Sequence, residues 1–250
     1  GIITIIIVAI ARVPYYAAGA FLSACTAHIL KGAAEHNRLS SDTYKRLNLA
    51  LFTYAGLEAF HRKNAIPMLM VANVIAMIQA VKGYGYGLLG WDKSMKASAK
   101  KEFLFGLKST LKGMSPFGIP STISAGYWAA SVSMMYLTLY KLWDIIGLIF
   151  ADGMGLGSAL VTTRIHRLAK YTLLSAIVYT LKDASDRGRL EGATFIQLNF
   201  MVSATFASMA AYQFATASGM TAMVGWSGFL SFFTAFVGYT SRQIKKSQHQ

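Results

Sequence analysis

Apolar residues in this chain come in long unbroken runs, separated by short basic segments. The first run covers residues 1–30 and is interrupted by Arg12 and Pro14. A proline removes a backbone donor and restricts the residue before it, so a kink or a break is expected there. The second run, LNLALFTYAGLEAF at 47–60, is short but extends upstream to Asp42, where Ser40, Ser41 and Asp42 offer a helix cap. The basic knot at 61–64 closes it. Pro67 then opens a third run reaching about Gly90, so the two make an antiparallel helical hairpin. Further runs fall at 119–140, 142–162, 171–181, 194–217 and 219–240, with Lys141 and Asp144 at one join and a basic segment at 163–170.

Runs near 20 residues that are apolar all round have to face lipid. Barrels need alternating strands, and no such alternation is present. The pattern therefore predicts an all-α, polytopic transmembrane bundle of seven or eight spans, with residues 1–250 forming a single integral membrane domain. Residues 91–117 differ. Phe103, Leu107, Leu111 and Met114 recur at helical spacing among Lys100, Lys101, Lys108 and Lys112. This spacing predicts an amphipathic helix lying in the membrane interface. The tail 241–250, SRQIKKSQHQ, is basic and expected to fray.

Composition supports the same class: 54% of residues are hydrophobic and 14% charged. A soluble domain carries about 25% charged residues. The balance of 24 Lys+Arg against 10 Asp+Glu would suggest nucleic acid on a soluble protein. Here the basic residues stand between apolar runs, as headgroup anchors do, so membrane lipids are the expected partners and nucleic acid is not. The single Cys25 excludes an internal disulfide.

The stretch KGYGYGLLGW contains a literal G-x-G-x-x-G at Gly85, Gly87 and Gly90. A dinucleotide site needs a strand before these glycines, a helix after them, and an acidic residue about 20 positions on. An apolar helix precedes them instead, and a Lys-rich segment follows. Ala204, Ser208, Ala211 and Ala215 repeat at three- and four-residue steps, and Gly153 and Gly157 stand four apart. Such small-residue faces let helices pack closely in lipid, within the chain or against a neighbouring subunit.

Ionisable residues inside a membrane are functional candidates because they are costly in hydrocarbon. Glu58 stands one turn from Arg62 and can pair with it. Lys82 can snorkel from a helix end. Asp144 follows Lys141 by three. Asp152 sits in FADGMGLG, a segment that unwinds readily, and with Glu58 and Asn199 defines a candidate ion, proton or polar site. His28, His61 and His166 fall near run boundaries and are candidate pigment or haem ligands. No spacing suits a metal site, and no catalytic motif is present. A faint internal echo links KRLNLALFTYAGLEAF with HRLAKYTLLSAIVYTL, each leading to a hairpin whose next run carries an asparagine, Asn73 and Asn199.

These features predict a non-catalytic accessory subunit of a larger respiratory or photosynthetic membrane complex. It would position lipids, pigments or neighbouring subunits, with chlorophyll, carotenoid or bound lipid as expected cofactors. The basic, acid-poor composition points to a thylakoid or mitochondrial inner membrane. The alternative is a small-solute or ion transporter or channel with a midplane site near Asp152.

Overall fold

The computed structural model describes residues 2–62, 67–89, 114–116, 119–216 and 221–247. These residues form seven α-helices and no strand: α1 (Ile2–Glu35), α2 (Asp42–Arg62), α3 (Pro67–Leu89), α4 (Thr122–Phe150), α5 (Ala159–Asp186), α6 (Ala193–Ala215) and α7 (Thr221–Ser247). The interfacial helix expected at 91–117 lies, apart from 114–116, outside the described residues.

Several boundaries move. α1 continues through Pro14, surrendering the one donor a proline lacks. α4 runs straight across Lys141 and Asp144, where a boundary was expected. Those side chains pair along one face at 3.5 Å, and Arg164 of the next helix reaches Asp144 at 3.0 Å, so one carboxylate serves two cations. The break comes at 151–158 instead, where Gly153 takes a left-handed φ of +63°. Ser121 and Ser158 cap the helices that follow them. The basic segment 163–170 is not a loop; it lies within α5. The tail is helical to Ser247. Gly83, Gly85 and Gly87 are helical too, so no phosphate-cradling turn forms there.

The expected echo between α2 and α5 is not borne out; a different repeat relates α1 to α5 and α2 to α6. Leu22, Leu30, Lys31, Ala33, Arg38, Leu39, Thr43, Leu47 and Asn48 recur at one constant offset as Leu173, Leu181, Lys182, Ala184, Arg189, Leu190, Thr194, Leu198 and Asn199. The linking turns superpose bond for bond. Arg38 N–H donates to the Ala33 carbonyl at 2.8 Å, as Arg189 does to Ala184. Ser41 donates to Arg38 at 3.2 Å, as Gly192 does to Arg189. Asn37 (φ 53°) and Gly188 (φ 63°) fill the same left-handed position that ends a helix. The next helix returns alike in both copies: Gly83 of α3 lies against Asn48, and Gly238 of α7 against Asn199. The true partner of Asn199 is therefore Asn48, not Asn73.

α1–α2–α3 and α5–α6–α7 thus repeat one three-helix unit. The first helix of each copy packs on the second helix of the other, α1 on α6 and α5 on α2. That exchange defines a pseudo-twofold axis, and Tyr44 Oη meets Thr194 Oγ1 across it at 3.1 Å. The core is dominated by α5, α6 and α2, with Leu173, Leu174, Ile177, Leu198 and Phe206 wholly buried. Four buried threonine hydroxyls are satisfied within their own helices: Thr26, Thr180, Thr205 and Thr234 each donate to the carbonyl four residues back. α4 lies outside the repeat. Gly126 meets the edge of Phe233 of α7 there, and Tyr127 stacks edge-on against the same ring.

Two of the described helices, α4 and α6, are long and apolar enough to cross a membrane. Only 11% of the apolar window of α4 is buried, whereas a soluble protein hides its most apolar helix. α2 and α5 carry too many ionisable residues to meet that composition, so the expected count of seven or eight spans is not established by it.

Candidate functional site

The buried charges gather where α2 crosses α5. Glu58, on the inward face of α2, is hydrogen-bonded to His166 Nδ1 of α5, and both are almost fully shielded. Lys170 follows one turn after His166 and is completely buried, within electrostatic range of Glu58 and Arg167. Leu57, Phe60, Ile165 and Leu168 pack around this end of the seam. A second ion-paired group lies beside it, Asp144 with Lys141 and Arg164. Burying a charge is tolerable only when it is paired and hydrogen-bonded, and the carboxylate of Glu58 supplies that to an otherwise cationic stretch of α5.

The other end of the α2/α5 seam is fastened by Arg46. Its guanidinium sits 4.6 Å from the Tyr179 ring centroid and 3.8 Å from Asp183. Asp183 also pairs with Arg187 at 2.9 Å, and Lys182 with Asp186 at 2.6 Å. This end, which carries both repeat turns, is the more basic end of the described bundle.

The expected site residues do not converge. Asp152 is exposed on the α4–α5 connection. Asn199 is buried near the start of α6, accepting from Tyr127 Oη and donating to the Phe195 carbonyl at 3.0 Å. Its repeat mate Asn48 precedes Glu58 by ten residues, about 15 Å along a helix, so Asn199 and Glu58 sit at different depths. Glu58 meets His166 rather than only its neighbour in sequence; the side chain of Arg62 lies outside the described residues, as does that of His61. His28 is exposed on α1. Ala204 and Ala211 face outward, while α6 meets α7 through Ser203 and Ser231. Gly153 and Gly157 lie in a connection and form no helix-packing face. Among the described residues no group of three or more His, Cys, Asp or Glu could hold a metal ion.

Sequence reasoning placed Glu58 and His166 in different categories and passed over Lys170. The usable signal was the cationic row Arg167–Lys170 inside an apolar pattern, which demands a carboxylate from another helix. The class defined by these observations is an all-helical protein with an internal three-helix repeat and helices suited to a membrane. No family model matches the chain, and comparisons with curated proteins and with solved structures find no match.

Proposed function

We propose that this chain is a multi-pass membrane protein acting as a non-catalytic accessory subunit of a larger membrane assembly. One observation carries the reading: the distribution of aromatic and charged side chains is inverted relative to a soluble protein. Tyr136, Leu139, Trp143 and Phe150 of α4 and Phe229, Phe232, Phe236 and Tyr239 of α7 point outward. Glu58, His166 and Lys170 point inward. Exposed apolar faces of this breadth mark contact with lipid or with other subunits. On this reading the remaining helices, their charges turned to the bundle interior, span alongside α4 and α6.

The test is native electrophoresis of mildly solubilised membranes probed for this chain and scanned for pigment absorbance. Migration as part of a large complex supports the subunit reading. Migration at the mass of one chain in its detergent micelle contradicts it.

One observation favours a second reading, a small-solute or ion transporter. The group Glu58–His166–Lys170 is an intramembrane acid–base cluster of the kind that relays protons or holds an anion. Its site would be this seam rather than Asp152. Purified chain in liposomes should then move solute or protons, and Glu58→Gln should abolish the flux while Asp152→Asn should not.

A further inference from the structure

The two seams of the repeat are equivalent in backbone but not in filling. Arg46, Tyr179 and Asp183, which close the α2/α5 seam, correspond to Gln197, His28 and Gly32 in the α1/α6 seam. Glutamine is shorter than arginine, and glycine offers no carboxylate to hold it. The second seam is left open as a groove of about 490 Å³, lined by Phe21, Cys25, His28, Ile29, Phe200 and Met201. Its walls are almost wholly apolar.

A second groove, of about 760 Å³, adjoins it and shares Gln197 and Phe200. Its lining is also largely apolar, but three cations edge it. Arg242, Lys245 and Lys246 from the last turns of α7 converge on the first turn of α6. That first turn has no acidic residue, and its cap, Gly192, contributes no side-chain hydrogen bond. An uncapped helix N-terminus favours an anion, and three cations beside it add to the attraction. Both grooves lie at the end of the bundle that carries the repeat turns, where headgroups would meet a spanning protein.

We propose that the paired grooves bind one anionic glycerophospholipid of the surrounding bilayer. Its phosphate lies on Arg242, Lys245 and Lys246, and an acyl chain lies in the seam between α1 and α6. The inference rests on the membrane reading above and deepens it, because it assigns the subunit a specific lipid class. The apolar groove selects a tailed ligand, the basic groove selects a negative headgroup, and their junction at Gln197 and Phe200 requires both on one molecule.

Native mass spectrometry of the detergent-purified full chain tests this, with dioleoyl phosphatidylglycerol, dioleoyl phosphatidylcholine or inorganic phosphate added. Phosphatidylglycerol should be retained at one per chain, phosphatidylcholine should not, and inorganic phosphate should not displace it. The variant R242Q/K245Q/K246Q, at positions outside the buried core, should bind at least about tenfold more weakly, since each basic residue near a membrane surface contributes measurably to anionic-lipid affinity. Ala24→Phe, which narrows the apolar groove, should also lose the lipid. Unchanged helicity by circular dichroism separates lost binding from lost folding. Equal retention of both lipids, displacement by phosphate, or wild-type binding by either variant would overturn the proposal. A chain that stays soluble without detergent would overturn the membrane reading itself, whereas an integral chain that retains no phosphatidylglycerol overturns only this inference.

Discussion

The α2/α5 and α1/α6 seams are built from the same backbone, yet one is fastened by ion pairs and the other is open. In the first, Arg46 is held at one end by Asp183 and Tyr179, and Glu58 meets His166 at the other. In the second, the corresponding positions are Gln197, Gly32, His28, Met209 and Tyr15. The difference teaches that the repeat supplies the frame, while side chains at a few seam positions decide whether a crossing becomes a structural lock or a surface for something else. Charge is concentrated on the locked side and absent from the matching positions of the open one.

The comparison can be broken most severely at Glu58. Removing one partner of a buried charge group costs about 3–5 kcal/mol, because the other charges stay buried. Glu58→Ala should therefore lower the thermal midpoint in detergent sharply, whereas Met209→Ala at the equivalent place in the open seam should cost what a core truncation costs, about 2–5 kcal/mol, with no charge left stranded. A double-mutant cycle of Glu58→Ala with His166→Ala should show clear coupling; additive losses would mean that the pair is incidental.

Next come the two hairpins. A Cβ at Gly83 would lie 2.8 Å from Asn48 Oδ1, and one at Gly238 would lie 3.0 Å from Asn199 Cβ. Overpacking of this kind costs about 1–3 kcal/mol. Gly83→Ala and Gly238→Ala should destabilise by comparable amounts in a melting experiment. A neutral result in either would break the structural equivalence of the copies.

Smaller effects are expected at the turns. Gly188→Ala places a side chain in a left-handed conformation and should cost about 1–2 kcal/mol. Asn37→Gly, at the matching position, should change stability by a few tenths of a kcal/mol, because asparagine already tolerates that region. Chemical denaturation of both variants checks the contrast. The smallest effect belongs to Asp152→Asn, which should leave both the thermal midpoint and any measured activity unchanged, as its carboxylate is exposed away from both seams.

Much of the helical layout was legible in the residues themselves. Pro67 at a first turn, the start of α2 at Asp42 and the runs that became α6 and α7 follow from local chemistry. What was hidden depended on partners far along the chain. Lys141 and Asp144 looked like a boundary because the third member of their group, Arg164, comes twenty residues later. The cationic stretch of α5 looked like a loop because Glu58, its carboxylate, lies on another helix. The expected echo paired the wrong helices, α2 with α5, since Arg-Leu before an apolar run is a weaker marker than the turn itself. The residues shared at one constant offset, and the matching hydrogen bonds around Asn37 and Gly188, align the copies and pair Asn48 with Asn199. Asp152 was favoured because glycines flank it, but those glycines build an exposed connection.

The central claim is that the aromatic outer faces of α4 and α7 lie in hydrocarbon while the charged seam is turned inward. Spin labels at Leu139→Cys and Phe232→Cys, in a Cys25→Ser background reconstituted into bilayers, test it directly, because both positions are outward-facing, at 61% and 71% exposure. Electron paramagnetic resonance should find both labels more accessible to oxygen, which partitions into lipid, than to a water-soluble nickel chelate. Greater accessibility to the chelate at either position would contradict the account.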